Sequence, residues 1–329
     1  MDIQRELFEK LKPLIPKKFT LAEYLGNLLF LSNDSIYRRL RGDTQLNMQE
    51  LKTICEHFGI TADNLIGLRN NNQITCDVGR VESSSGGFID FLAGINRDLE
   101  FLQQSGNARV IHSVKDIPFF HSLVFPRLFA FKYYIWMQVF VLKPDFIHKT
   151  FEPEIKDPAI LEAATKTISL YNSIHSIEIW NEDNINSLLL QIDFYKHSKY
   201  FASTREIELL YDELHELIDH IEKQAELGCK FLPGQNPDLK QSNFGMFINK
   251  VSIADNLIWV RANNISKVYI NYTVLNFLAT LDIGFCKEVE DYLYNLMKRS
   301  TQISQENIKM RSIFFNLQHQ KIQEYKDNL

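Results

Sequence analysis

The sequence contains few cysteines, and no two of them are spaced as metal or redox motifs require. The four cysteines are Cys55, Cys76, Cys229 and Cys286, and no C-x-x-C pair occurs among the 329 residues. Disulfide frameworks and zinc sites are built from cysteines at close, regular spacings. We therefore expect reduced thiols in a cytoplasmic protein, without a resident metal or cofactor.

Several motifs that mark common enzymes are also missing. The glycines form neither G-x-G-x-x-G nor G-x-x-x-x-G-K-[ST], and no G-x-S-x-G is present. These absences argue against a dinucleotide loop, a P-loop and an α/β-hydrolase nucleophile. The stretch HELIDH places His215 and His220 five residues apart, whereas zinc proteases need histidines at i and i+4. We predict a structural or interface helix there. We also predict that the chain is not an enzyme, although this stays open for residues 88–329.

No long uncharged hydrophobic run is present. The most apolar stretch, residues 117–142, is interrupted by charged and polar residues, whereas a bilayer span needs about 18 or more nearly uncharged residues. We therefore predict a buried helix pair, and the charged first 15 residues predict no signal peptide. The aromatic side chains of this stretch could line a pocket for an anionic apolar molecule, contact a partner subunit, or simply fill the core. The candidate ligand or interface residues are His121, Arg127, Lys132 and Trp136.

The chain carries no general excess of positive charge. Its formal net charge is -5, and residues 1–70 hold ten basic and nine acidic side chains. Between Lys17 and Arg41, however, five basic residues accompany two acidic ones. Any contact with a polyanion must therefore be local and lie in this segment.

Residues 1–70 have the pattern of five short helices. Thr20 with Glu23 forms a capping box for the second helix, and Ser32 caps a third helix that ends at Arg41 before Gly42. The first helix covers about 3–15. The fourth helix starts at Asn47 and stops at Gly59, and Thr61 caps a fifth that ends near Leu68.

The third helix has one inward and one outward face. Ile36 and Leu40 stand at i and i+4 and must face the core, so Asp34, Arg38 and Arg41 point away from it. Arg39 lies to the side and is expected to pair with a local carboxylate. Short polar groups and guanidinium groups on one helix face are typical of a helix that reads base edges in the major groove.

Residues 21–68 carry a more specific pattern. It comprises Leu21-Ala22, Ser32 to Ile36, Arg41-Gly42, Leu51 to Cys55, and Phe58-Gly59-Ile60-Thr61 to Leu65. This pattern resembles the lambda-repressor-like (Xre/Cro) helix-turn-helix family of transcriptional regulators. "DSIYRRLRGD" followed by "MQELKTICEHFGI" resembles in particular bacterial regulators with a large C-terminal domain. The resemblance covers about a fifth of the chain and does not extend to residues 88–329.

The resemblance implies roles for single residues. Asn33 and Asp34 fall where the family reads bases, Ser35 is adjacent, and Tyr37 and Arg38 are next along the helix. Two departures stand out: the family usually has a small or polar residue at position 37, and the second helix is longer here. Asp34 is also unusual, because its carboxylate repels DNA unless it accepts from cytosine N4. The expected phosphate contacts are Arg41, Thr44, Thr20, Lys17 and Lys18.

The rest of the chain predicts a different architecture. Residues 71–87 are rich in Asn, Ser and Gly and form the best linker candidate, although QITCDV within them could be a short strand. Residues 88–329 alternate helical and strand-like patterns. The runs FGMFINKVS, NLIWVRA and SKVYINY are joined by short connectors, which favours an antiparallel meander. The predicted fold class is therefore mainly α, with a helical domain at 1–70 and an α+β domain at 88–329.

These patterns together predict a sequence-specific DNA-binding transcriptional regulator on the bacterial nucleoid. One such module with a net charge of +1 binds DNA weakly, so we expect a homodimer on a palindromic operator. Residues 88–329 would dimerise, sense a small-molecule or protein effector, or do both. Two alternatives remain open at this point: an enzyme in residues 88–329 that the helical domain localises, and a scaffold whose helical domain contacts protein.

Overall fold

The computed structural model describes residues 3–16, 18–58, 60, 62–66, 73–82, 86–251 and 256–329. The chain divides into two compact units. The first comprises Met1–Asp77, Asn264–Lys267 and Thr280–Cys286, and the second comprises Val78–Asn263, Val268–Ala279 and Lys287–Leu329. The predicted domain limits at residues 70 and 87 stay predictions.

The N-terminal part of the chain is helical, as predicted. Its elements are α1 (Ile3–Leu11), a 3₁₀ turn (Lys12–Leu14), α2 (Leu21–Leu29), α3 (Asn33–Arg41), α4 (Met48–Phe58) and α5 (Ala62–Ile66). The first helix ends earlier than expected, because Pro13 lacks the N–H that would continue it. The predicted signals at Gly59, Thr61 and Leu68 lie outside the described residues. The buried side chains are Leu7, Phe8, Leu11, Ala22, Leu25, Ile36, Ile54 and Leu65.

Helices also dominate the C-terminal part. They are α6 (Gly87–Ser105), α7 (Phe119–Ser122), α8 (Pro126–Ile135), α9 (Pro158–Ser173), α10 (Asn186–His197), α11 (Thr204–Leu227), α12 (Ile283–Lys298) and α13 (Ile308–Lys326). The apolar stretch 117–142 forms α7, α8 and a π-helical turn at Trp136–Phe140, and most of α8 is buried. Among the described helices, none is both long enough and apolar enough to cross a bilayer.

The strands form one mixed sheet. They are β1 (Asp77–Gly79), β2 (Arg109–Ser113), β3 (His175–Trp180), β4 (Phe244–Ile248), β5 (Leu257–Ala262), β6 (Ile265–Asn271), β7 (Phe277–Thr280) and β8 (Thr301–Gln302). The order of the described strands is β1-β7-β6-β5-β2-β3-β4-β8. Strand β3 pairs parallel with β2 and β4, whereas β2 with β5 and β4 with β8 are antiparallel.

The sheet order corrects the predicted meander. FGMFINKVS forms β4, which lies between β3 and β8 and is separated from β5 by β2 and β3. A parallel β3–β4 pair needs a long crossover, and α10 and α11 supply it. Strands β5, β6 and β7 are consecutive neighbours. The sequence could not distinguish these cases, because a short connector between strand patterns does not fix which strands pair.

The two faces of the sheet carry different helices. Successive residues of a strand point to opposite sides of the sheet, whereas register partners on adjacent strands point to the same side. Val110 of β2 pairs with Val260, and His112 of β2 pairs with Glu178, which in turn pairs with Met246. These five side chains therefore lie on one face of the sheet. Helices α6 and α9 contribute to one apolar cluster, which contains Val110 and Val260, and α10, α11 and α13 to a second, which contains Met246. The opposite face meets α12, where the Arg109 guanidinium donates to the Tyr294 hydroxyl and Arg261 pairs with Glu290.

Candidate functional site

Helices α2 and α3 are joined by a tight three-residue link with defined caps. The Thr20 hydroxyl and the Glu23 carboxylate cap α2 reciprocally, as predicted. The Ser32 hydroxyl accepts from the Ser35 N–H at 3.2 Å at the start of α3, and Gly42 ends α3 at φ 85°. Because these caps satisfy end groups that the helix itself leaves unpaired, the length of α3 follows from its sequence.

A close approach between α2 and α3 fixes the direction of α3. A Cβ at Gly26 would lie 3.0 Å from the Leu31 carbonyl oxygen and 3.1 Å from Asn33 Oδ1, so only glycine fits without movement. Ile36 is completely buried beneath this contact, and Leu40 packs against the same cluster. The predicted inward pair is thus confirmed, and the opposite side of α3 must face outward.

The outward side of α3 presents the predicted residues to solvent. The side chains of Asp34, Arg38 and Arg41 are exposed by 75%, 61% and 58%. Asn33 and Tyr37 are also exposed. Ser35 is half-buried, and its hydroxyl lies 3.0 Å from that of Ser32. These residues therefore form one accessible face, which we call the α3 face: Asn33, Asp34, Ser35, Tyr37, Arg38 and Arg41.

Both exposed arginines of the α3 face have a carboxylate beside them. Arg38 Nε lies 3.4 Å from Asp34 Oδ2, one turn earlier on the helix, and Arg41 Nε lies 2.9 Å from Asp43 Oδ2. Exposed pairs of this kind contribute only about 0–1 kcal/mol. Asp34, which the family resemblance predicts at a base-reading position, is thus also the intramolecular partner of Arg38.

Arg39 has a different role from its two neighbours, as predicted. Its Nε and Nη2 donate to the two Glu50 oxygens at 3.0 and 2.7 Å, and Nη1 donates to the Ser35 carbonyl at 3.1 Å. The side chains of Arg39 and Glu50 are each only 12% exposed. Glu50 also accepts from the Asn47 N–H at the start of α4. This bidentate pair ties α3 to the N-terminus of α4.

Arg39→Ala is expected to destabilise the N-terminal unit by about 1–3 kcal/mol, because it leaves the Glu50 carboxylate poorly solvated and unpaired. Chemical denaturation of the full chain measures this change. Arg38→Ala, on the same helix but exposed, is the matched control and should change stability by less than about 0.5 kcal/mol. The double variant Arg39→Met, Glu50→Leu should recover part of the loss. Equal midpoints for Arg39→Ala and Arg38→Ala would contradict this role.

The segment after α3 is held by a side chain of α1. Gln4 Nε2 donates to the Arg39 and Thr44 carbonyls at 2.7 and 2.9 Å, and Gln4 Oε1 accepts from the Leu46 N–H at 2.7 Å. Three hydrogen bonds from one amide fix the backbone around Thr44. No local pattern in the sequence indicates this contact, because it joins residues about 40 positions apart.

The other residues predicted to contact phosphates lie outside α3. Thr44 is exposed, and Lys18 is exposed with its ammonium 5.1 Å from the Phe19 ring centre. The Thr20 hydroxyl is exposed but already engaged in the α2 cap, where it donates to Glu23 at 2.8 Å. Lys17 lies outside the described residues.

Phe30 is the unusual residue of the link. It adopts a left-handed conformation at φ 54°, which favours glycine, and its side chain is 95% exposed. The sequence reasoning did not single it out, because an aromatic residue gives no signal for such a turn.

The four candidate residues of the apolar stretch do not form one site. Lys132 and Trp136 are buried and line a cavity in the second unit. His121 is buried elsewhere, where Nε2 lies 3.0 Å from Glu178 Oε1. Arg127 is half-buried, and its charge acts on Glu213 of α11. Neither His121 nor Arg127 is among the residues that line the cavity.

Glu178 is the centre of a buried polar cluster that the sequence did not reveal. This carboxylate is fully buried and accepts from the Tyr171 hydroxyl at 2.5 Å and from Trp180 Nε1 at 2.8 Å, in addition to its contacts with His121. Burial would raise the pKa of Glu178, but His121, the hydrogen bonds and His112 outweigh it and hold the pKa at about 2. Close by, burial lowers the pKa of Lys230 to about 7, although Glu178 opposes this shift.

The histidines of HELIDH do not meet at one site, in agreement with the spacing argument. The His220 ring contacts the Phe231 carbonyl, whereas His215 Nδ1 lies 2.7 Å from His319 Nδ1 on α13. His319 Nε2 in turn lies 3.0 Å from Asp219 Oδ1, and His319, Asp219 and Glu222 form one cluster. The sequence missed this cluster because α13 is about 100 residues away.

Comparison with known families gives one match. A family profile described as BetR domain matches residues 11–85, which is 75 of the 329 residues. This is a helix-turn-helix-type domain of transcriptional regulators, and the matched residues contain α2 to α5 with the whole α3 face. No curated protein and no solved structure was found to match the sequence. The match thus indicates a DNA-binding regulatory role at a coarse level and leaves the C-terminal fold unassigned.

Proposed function

We propose that this protein is a sequence-specific DNA-binding transcriptional regulator of the Xre/Cro type that inserts α3 into the major groove. The observation that carries this proposal is the α3 face. Polar and guanidinium groups stand outward on a capped helix whose other side is locked by Ile36 and Gly26. The BetR match to residues 11–85 supports the same role.

In this mechanism, some residues in and around the α3 face contact bases and others contact phosphates. Asn33, Asp34, Ser35, Tyr37 and Arg38 would lie near base edges, where short polar groups and arginine distinguish base pairs. Arg41, Thr44, Thr20 and the two lysines 17 and 18 would contact phosphates, which position the helix without reading sequence. The hydrogen bonds from Gln4 to the Arg39 and Thr44 carbonyls support a phosphate contact at Thr44, since they fix its backbone relative to α3.

We further propose that the protein acts as a homodimer with its dimer contacts in the C-terminal part. One module with a net charge of +1 gains little affinity from counterion release. Two modules on a two-fold axis would read two half-sites, roughly one helical turn or a multiple of it apart.

Selection from a library of random duplexes should return a palindromic sequence. Sedimentation of the free protein at micromolar concentration should then give a mass twice the 38.5 kDa of one chain. The selected operator should bind one dimer, and a single half-site should bind at least about 10-fold more weakly. A monomer at that concentration would overturn the dimer, and selection of no sequence above random duplex would overturn specific DNA binding.

We propose no catalytic role for the Glu178 cluster, which is the arrangement closest to an enzyme site. The carboxylate is fully buried, and its hydrogen bonds are made to protein groups on β3, α7 and α9. It serves as a structural centre, and the large effect expected from its removal is on stability.

A further inference from the structure

A cavity of about 460 Å³ lies within the second unit, between α6 and the sheet. Val110, His112, Ile258 and Val260 of β2 and β5 form its floor. Its volume falls in the range of about 300–1,000 Å³ that small-molecule sites in proteins occupy. Another side of the cavity is closed by β6, β7 and the connection between them, which contribute Tyr269 and Phe277 among others.

One wall of the cavity is lined by aromatic rings. Phe119 and Phe120 stand side by side with ring centres 4.2 Å apart, Phe120 stacks on Tyr171 at 4.2 Å, and Trp136 lies 6.4 Å from Phe119. Phe91 of α6 completes this wall. Flat ring faces of this kind suit a ligand that itself contains rings.

A glycine keeps the cavity open from the helix side. Residues of α6 that line the cavity recur every three or four positions, and Gly94 stands in the middle of that face. A Cβ at Gly94 would meet nothing nearer than Arg97 Nη2 at 3.7 Å, so a side chain has room there. Glycine inside a helix is less favourable than alanine, because it loses more backbone freedom on folding. Its position on the cavity face leaves space that an ordinary side chain would fill.

One buried polar atom in the floor lacks a partner. His112 is 6% exposed, and its Nε2 makes no hydrogen bond to any residue that the structure describes. Burial lowers the pKa of His112 to about 4, so the imidazole is neutral near pH 7. A buried polar nitrogen without a partner is unfavourable, because it has lost its hydrogen bonds to water without replacement. A ligand group that can donate or accept a hydrogen bond would recover this loss.

The charges around the cavity disfavour an anion. Its lining includes four carboxylates, those of Glu82, Asp90, Asp98 and Asp116, against two cations, Arg80 and Lys132. The buried Glu178 carboxylate acts on His112 from the neighbouring strand. An acidic ligand group at His112 would therefore meet like charge in a region of low dielectric.

We infer that this cavity binds a neutral, ring-containing apolar small molecule that makes one hydrogen bond to His112 Nε2. Binding itself is independent of DNA, whereas the role of such a molecule as an effector of regulation rests on the proposed function.

Two probes with the same ring system test this inference on the full chain without DNA. N-phenyl-1-naphthylamine is neutral and has one N–H, and 8-anilinonaphthalene-1-sulfonate adds a sulfonate to the same rings. We expect the fluorescence of the neutral probe to rise to saturation at one molecule per chain. We expect the sulfonate to bind at least about 10-fold more weakly, which corresponds to about 1.4 kcal/mol.

Gly94→Leu should abolish saturable binding, because its side chain would occupy the cavity, and should leave the melting temperature unchanged or raised. Gly284→Leu, at an exposed helical position of α12 where a Cβ would meet nothing nearer than Asp282 Oδ1 at 3.5 Å, is the matched control and should bind as wild type does. Gly94→Met gives a second, more flexible filling variant should the leucine prevent folding. His112→Phe should weaken binding about 5-fold or more through the lost hydrogen bond.

Three results would overturn the inference. Absence of saturable binding by the neutral probe would exclude the site, and unchanged binding in folded Gly94→Leu and Gly94→Met would exclude its location. Equal affinity for the two probes would exclude the neutral class of ligand. Failure of DNA binding would leave all three readouts intact, so the two proposals fail separately.

Discussion

The double variant Arg38→Ala, Arg41→Ala is expected to lose specific DNA binding, with a fall in operator affinity of about 100-fold or more. Both guanidinium groups stand on the α3 face, and neither side chain packs into the core. The slope of log K against log salt should also become shallower by about 0.9, because Arg41 is assigned to a phosphate and Arg38 to a base edge. Electrophoretic mobility shift or fluorescence anisotropy at several salt concentrations measures both quantities.

The stability of this double variant should remain close to wild type. The two lost ion pairs are exposed, and such pairs contribute about 0–1 kcal/mol each. Arg205→Ala with Arg299→Ala removes the same charge from exposed positions of the C-terminal part and is the matched control. An operator bound equally tightly by the α3 variant and by wild type would contradict the assignment of α3. A similar loss in the control variant would instead indicate a general charge effect.

The second large effect is expected at Glu178, where Glu178→Leu should lower the free energy of unfolding by about 3–5 kcal/mol. Leucine removes the acceptor of His121 Nε2, the Tyr171 hydroxyl and Trp180 Nε1, and all three groups stay buried. Because the cluster lies in the second unit, where Trp136, Trp180 and Trp259 are all buried, denaturation followed by tryptophan fluorescence should report the loss.

Two further variants separate the network from simple packing. Glu178→Gln keeps an oxygen acceptor and should lose less stability than Glu178→Leu. Met246→Leu replaces the buried register neighbour of Glu178 on β4 by a residue of similar volume and should cost less than about 1.5 kcal/mol. If Glu178→Leu costs no more than Met246→Leu, the cluster is not the structural centre that its hydrogen bonds indicate.

The sequence was most informative where the controlling contacts are local. The caps at Thr20 and Ser32, the end of α3 at Gly42, and the buried position of Ile36 all follow from residues within one or two helical turns. The side-chain pairing of Arg39 followed from its angular position on the helix.

What the sequence could not provide depends on distant partners. No local pattern specifies that Gln4 holds the carbonyl of Thr44, or that His121 meets Glu178 across 57 positions. The predicted pairing of β4 with β5 was wrong for the same reason, because an apolar run does not specify which strands pair with it. The cavity is likewise a property of packing. The sequence analysis identified Lys132 and Trp136 as candidate residues for a ligand or an interface. His112 and Gly94 also line the cavity, but no sequence pattern marks them as ligand-binding residues.

Under the proposed function, the carboxylates beside Arg38 and Arg41 have a kinetic consequence. Asp34 and Asp43 compete with phosphate for the same guanidinium groups, so contact with arbitrary DNA exchanges one ionic partner for another at little net gain. Base contacts at an operator add to that exchange, and arbitrary sequence offers none. Short residence on arbitrary DNA shortens the search of the genome for a site. The two aspartates would thus set the speed of the search, and the arginines the final affinity.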